Sequence, residues 1–147
     1  MPRAVHERLI YQVSRDLERK LEVLPSRADP AAQFAENIEF GGSPTIAFDD
    51  PQYGQHCPDA SFGHADAKYP GVVIEVSYSQ KKDLARLADD YILGSDGRIH
   101  VVVGLDLDYR GRSASVSIWR ARTEVNAAGE EESFVHQTLS DEVFYDR

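Results

Sequence analysis

Within the stretch CPDASFGHADAKYPGVVIEVSYSQ, residues 57–80, two acids occupy positions that suit chemistry. Asp59 opens a short extended segment, and Glu75 sits inside GVVIEVS, a run of valine and isoleucine that is otherwise uncharged. A carboxylate in such a run is costly to bury unless a proton, a base or a metal ion compensates it. The two acids are sixteen positions apart, and they converge if their segments pair through the turn at residues 64–70. Two carboxylates a few ångströms apart repel, so either one takes up a proton or a cation lies between them. A hard, oxygen-preferring ion, Mg2+ or Mn2+, suits carboxylates together with a backbone carbonyl and water.

The other reactive side chains nearby have plainer accounts. An aspartate after a proline commonly caps a turn or strand, and Glu75 has Arg86 or Lys68 as an ordinary ion-pair partner. His56 and His64 flank Asp59 beside Cys57, but their spacing matches no usual zinc pattern. Cys57 lacks the partner motif of a cysteine nucleophile, which leaves buried packing as its expected role. Trp119 alternates with Arg120 and Arg122; a base-stacking role is open to it, with a core position the simpler expectation. Tyr91 lies on an apolar helical stripe and is expected to pack there, its hydroxyl within reach of the acids.

These residues need a scaffold, and the periodicity supplies one. Leu9, Ile10, Val13, Leu17, Leu21 and Leu24 recur at spacings of three and four, predicting a helix over residues 5–24. Pro25 and the following SRADP segment stop it, and residues 31–36 can add a helical turn. Residues 38–40 and 45–48 read as the first strand or hairpin, and DDPQYGQH, 49–56, as a polar loop. Strands follow at 59–63 and 71–77. A helix capped by Ser79 is predicted to run to about residue 93, carrying Leu84, Leu87, Ala88, Tyr91 and Ile92 on one face. IHVVVGL, 99–105, is a second apolar strand, and strand–helix–strand makes a parallel crossover the default. Residues 113–122 alternate like a half-exposed strand and return at 133–139 through a turn at 126–129, with an acidic, aromatic closing tail. The expectation is one α/β (α+β) domain over residues 1–147, with a mixed sheet and a C-terminal β-hairpin.

Composition narrows the function classes. The chain of 147 residues carries a formal charge of −9, with its bases scattered. That argues against tight duplex binding by charge alone, while leaving open an acidic pocket that takes up a divalent ion. No stretch is long and apolar enough for a membrane span, and the N-terminus has no signal-type apolar core. With one cysteine there is no internal disulfide framework, which points to an intracellular setting, cytoplasmic or nuclear. No glycine-rich phosphate loop follows any strand.

Pro58-Asp59, the spacing to Glu75 and the strand-to-helix turn after it resemble the PD-(D/E)XK nuclease superfamily, whose core has the element order αβββαβ. EVSYSQ, the helix ending in Tyr91 and the VVVGLDL strand look similar to the Uma-type branch of predicted nucleases and to uncharacterised fungal relatives. The likeness covers residues 59–105 by motif and the flanks by topology. It implies a restriction-endonuclease-like fold and Mg2+-dependent or Mn2+-dependent hydrolysis of nucleic acid, DNA ahead of RNA, with a homodimer as an assembly many members adopt. Asp59 and Glu75 would then be catalytic metal ligands, joined by the backbone carbonyl of Val76. Ser77 stands where the family has its lysine, and a hydroxyl cannot supply that positive charge. The resemblance therefore turns to Gln80 and Lys81 as catalytic replacements, ahead of Lys82, with Glu7 or Glu18 as a further acid. The alternative is a catalytically silent member acting as a binding or interaction module.

Overall fold

The computed structural model describes residues 3–23, 38–108 and 113–146. Helix α1 (Arg3–Val23) is followed by β1 (Ile38–Phe40), β2 (Ile46–Ala47), a 3-10 turn at Pro51–Tyr53 and β3 (Gln55–His56). Then come β4 (Ala60–His64), β5 (Val72–Tyr78), α2 (Leu84–Gly94), β6 (Val101–Asp108), β7 (Ser113–Val125) and β8 (Glu131–Asp146). The class is α+β with a mixed sheet, as expected. Residues 31–36 lie outside the described residues.

Six strands form the main sheet in the order β1-β4-β5-β6-β7-β8. β5 runs parallel to β6, with Glu75 opposite Gly104, and every other neighbouring pair is antiparallel. The two short segments before residue 50 do not form one hairpin. β1 pairs with β4 at the sheet edge, whereas β2 pairs with β3 in a separate two-stranded sheet. The loop expected at 49–56 therefore contains a strand, because Phe48 turns inward to pack on Tyr69 and Tyr91 and draws the chain back.

The side chains of β5 alternate between two cores, which is why the run is apolar on both faces. Ile74 and Val76 pack with Ala60, Phe62 and Leu105 beneath α1, which contributes Leu9, Ile10, Val13 and Leu17. Val73 packs on the opposite face with Val102, Ile99 and Trp119 beneath Ala88, Tyr91 and Ile92 of α2. Trp119 is thus a core residue. Glu75 alternates with Ile74 and Val76, so it falls on the α2 face. The α1 stripe and the α2 stripe were both legible, and both cover the faces their periodicity implies.

Two boundaries moved. Helix α2 begins at Leu84 rather than near Ser79, and its N-cap is Asp83, whose carboxylate accepts from the Arg86 amide at 3.1 Å. Ser79 and Gln80 instead take left-handed conformations, φ 48° and 58°, in a tight turn. The C-terminal hairpin is longer than expected, because the tail continues β8 along β7 to Asp146. The β7–β8 register shifts at three places; at the one between Val116 and Ile118, Ser117 Oγ accepts from the amide of Asp141, itself at φ 46°.

Candidate active site

Asp59 and Glu75 do converge. The Asp59 amide donates to the Ile74 carbonyl at 3.0 Å, extending the β4–β5 pairing one residue toward the site. Its carboxylate turns onto β5, where Oδ2 accepts from the Val76 amide at 2.7 Å. Val76 thus meets the site through its N–H, while its side chain lies in the core under α1.

The nitrogen joining the two acids belongs to Lys82. Its Nζ donates to Asp59 Oδ2 at 3.0 Å and to Glu75 Oε2 at 2.9 Å. The other Glu75 oxygen, Oε1, accepts from the Tyr91 hydroxyl at 2.6 Å. Exposure is graded across the cluster: the side chains of Glu75, Asp59 and Lys82 are 3%, 17% and 38% exposed. Solvent and any ligand therefore reach the acids from the Asp59–Lys82 side, while Glu75 and Tyr91 form the floor.

Burial holds the Glu75 carboxyl above the usual glutamate range, against the hydrogen bonds from Tyr91 and Lys82 that favour its ionised form. Burial also works against the charge of Lys82, but hydrogen bonding and attraction from Glu75 and Asp59 outweigh it, so the amine is held above the ordinary lysine range. Burial and the adjoining Glu75 carboxylate push the Tyr91 phenol far up, keeping it a hydrogen-bond donor. With Lys82 charged and both acids ionised, the cluster keeps one negative charge in surplus, which attracts a cation.

Lys82 reaches the acids because of the turn after β5. Ser79 donates its amide to the Leu107 carbonyl and Gln80 donates its amide to Asp106 Oδ1, each at 2.9 Å, pinning the turn to β6. The Lys82 amide then donates to Ser77 Oγ at 3.0 Å. Ser77, fully buried, is thus the anchor that folds Lys82 back over the end of its own strand.

Neither Gln80 nor Lys81 is brought to the acids. Both are exposed and face the groove that Asp106, Trp119 and Asp141 line. The reason is the shifted helix start: with Asp83 as N-cap, Lys82 belongs to the turn and points inward, and Lys81 to its outer side. An N-cap signal at Asp83 before LARLADDYILG was present in the sequence and would have favoured Lys82. Lys68 pairs with Asp49 at 3.5 Å and not with Glu75, and Arg86 is exposed on α2.

The histidines and cysteine take other places. His56 Nε2 lies 2.9 Å from Asp90 Oδ2, and its ring packs near Tyr91. His64 Nδ1 accepts from the Asp66 amide within its turn. Cys57 is exposed rather than buried, its sulfur 3.3 Å from the Thr45 hydroxyl. Glu7 faces the cavity beside Asp59; Glu18 lies on α1, and its side chain is outside the described residues.

Among the described residues no group of three or more histidine, cysteine or acidic side chains is arranged to hold a metal ion. The donor set that is present is two carboxylates, Asp59 17% and Glu75 3% exposed, oxygen ligands of the kind a hard cation takes while keeping several waters. Compared with protein-family models, curated proteins and solved structures, the chain has no significant match.

Proposed function

We propose that this chain is a metal-dependent nuclease of PD-(D/E)XK type, hydrolysing phosphodiester bonds of nucleic acid. The observation that carries the reading is the Asp59–Lys82–Glu75 cluster: two acids from paired strands and one lysine amine, half-open at the end of the sheet. Asp59 and Glu75 would hold Mg2+ or Mn2+, with the Val76 carbonyl as a third donor. When bound, the ion would lower the pKa of a coordinated water and polarise the phosphate. Lys82 takes the part first considered for Gln80 and Lys81. Its amine, held in the charged form by Glu75 and Asp59, can orient a water and stabilise charge developing on a phosphate oxygen. Tyr91 fixes the Glu75 carboxylate from below through Oε1, while the other oxygen, Oε2, faces Lys82. Ser77 holds the turn that delivers the lysine, so a serine in this position is compatible with activity.

The test is cleavage of DNA and RNA under Mg2+ or Mn2+. Asp59→Ala should abolish product, and Lys82→Ala should lower the rate about 100- to 1,000-fold, the scale on which losing one charge-stabilising donor acts. Lys81→Ala should stay near wild type. Equal product from wild type and Asp59→Ala would overturn the reading.

One feature favours a second reading. Lys82 already satisfies both carboxylates, as an internal counter-ion would in a catalytically silent interaction module. Calorimetric titration with Mn2+ separates the two. A nuclease site binds the ion and loses it in the Asp59→Ala, Glu75→Ala double variant, whereas a silent module shows no heat in either.

A further inference from the structure

A cavity of about 360 Å³ adjoins the acid cluster on the α1 side, with Asp59 in its wall. This is within the roughly 300–1,000 Å³ range of small-ligand sites. Glu7, Ile10, Tyr11, Ser14 and Arg15 also line it, and their spacing puts them on one flank of α1, beside the stripe that packs on the sheet. Phe40 of β1 faces them.

Three properties of this cavity are unlike those of a packing defect. Tyr11 is 63% exposed and Phe40 42% exposed, so two aromatic rings are presented at one opening. The Ser14 hydroxyl is buried, yet it has no hydrogen-bond partner among the described residues. A buried hydroxyl in that state is costly unless a ligand or water completes it. Arg15 brings a guanidinium suited to a phosphate oxygen.

We infer that this cavity receives an unpaired base of a single-stranded nucleic-acid segment, with the adjoining phosphate carried toward Asp59 and Lys82. The inference rests on the nuclease reading and names its substrate class. Base faces stack on Tyr11 and Phe40, Ser14 donates to or accepts from a base edge, and Arg15 meets the backbone. Stacking on aromatic rings makes no demand on a broad basic surface, which agrees with a chain of net charge −9. A base held inside a duplex cannot enter such a cavity, so single-stranded segments are selected over paired ones.

Binding is measured by fluorescence anisotropy in EDTA, so that cleavage plays no part. The probes are a labelled oligothymidylate, the same-length abasic strand and a blunt duplex. Wild type should bind oligothymidylate well above the other two. Tyr11→Ala and Phe40→Leu should each weaken that binding roughly 5- to 100-fold, toward the abasic value, with unchanged thermal melting. Phe40→Leu retains an apolar side chain against Phe62, so a folding defect does not confuse the result. Equal binding of abasic and base-bearing strands, or variants indistinguishable from wild type, would overturn the inference. The two readings fail separately: base-dependent binding without any cleavage keeps the cavity and removes the nuclease. Cleavage that ignores Tyr11 and Phe40 does the reverse.

Discussion

The Tyr91 hydroxyl donates to the Glu75 carboxylate at 2.6 Å, a short bond between two buried side chains. Removing the phenol in Tyr91→Phe leaves a buried carboxylate oxygen without its donor, and should cost about 1–3 kcal/mol in urea unfolding. The same variant should move the acid side of the activity profile. Glu75 must be ionised to hold a cation, and burial already raises its pKa, so activity should begin to fall above the ordinary glutamate range. Without the Tyr91 hydrogen bond, which favours the charged form, that limb should shift to still higher pH. Initial rates across a pH series check this, and a limb that stays fixed would show Glu75 not to be the group that titrates. Stability follows the same sign. Both Glu75 and Lys82 have raised pKa values when folded. Each therefore contributes stability that is fully present below its unfolded pKa and is lost as pH rises through the folded one.

At the scale of elements, the site depends on the turn between β5 and α2. Ser77→Ala removes the acceptor of the Lys82 amide. The lysine should lose its fixed approach, lowering kcat about 10- to 100-fold, since a displacement near 1 Å at a reacting group acts on that scale. Mn2+ affinity should change little, because both acids remain, and paired kinetics and calorimetry test the split. Gly104 is a second constraint. A Cβ there would lie 2.9 Å from the Trp119 ring and 3.0 Å from Leu84, the first residue of α2. Gly104→Ala should destabilise the fold by about 1–3 kcal/mol, read from the denaturant midpoint, by forcing Trp119 and the start of α2 apart.

For the whole molecule, charge bears on how the proposed nucleic-acid substrate would bind. With a net charge of −9, few cations face a nucleic acid near the site, chiefly Arg15 and Lys82. Counterion release from about two phosphate contacts predicts a shallow salt dependence for a single strand. The slope of log affinity against log salt should be about −1.4. A slope near −5 or steeper, measured by anisotropy between low and moderate salt, would mean that many more phosphates are contacted than these two cations reach.

Much of the fold was legible because burial periodicity is local. The stripe Leu9, Ile10, Val13, Leu17 and the doubly apolar β5 each state which face is covered, and β5–α2–β6 gave the parallel pairing. Glu75 announced itself as the lone acid in an apolar strand, and Asp59 converged on it once the two strands were paired. The cap signal at Asp83 leaned toward Lys82, but the sequence alone did not aim its side chain at the acids. Lys81 and Lys82 have the same chemistry, and the choice rests on two left-handed residues, Ser79 and Gln80, held by bonds to β6 some 26 positions away. The same is true of the cavity beside Asp59, where Tyr11 and Phe40 come from elements that share no local pattern. Side-chain type and period are written along the chain, but the direction in which a turn points a side chain is fixed only by contacts across the sheet.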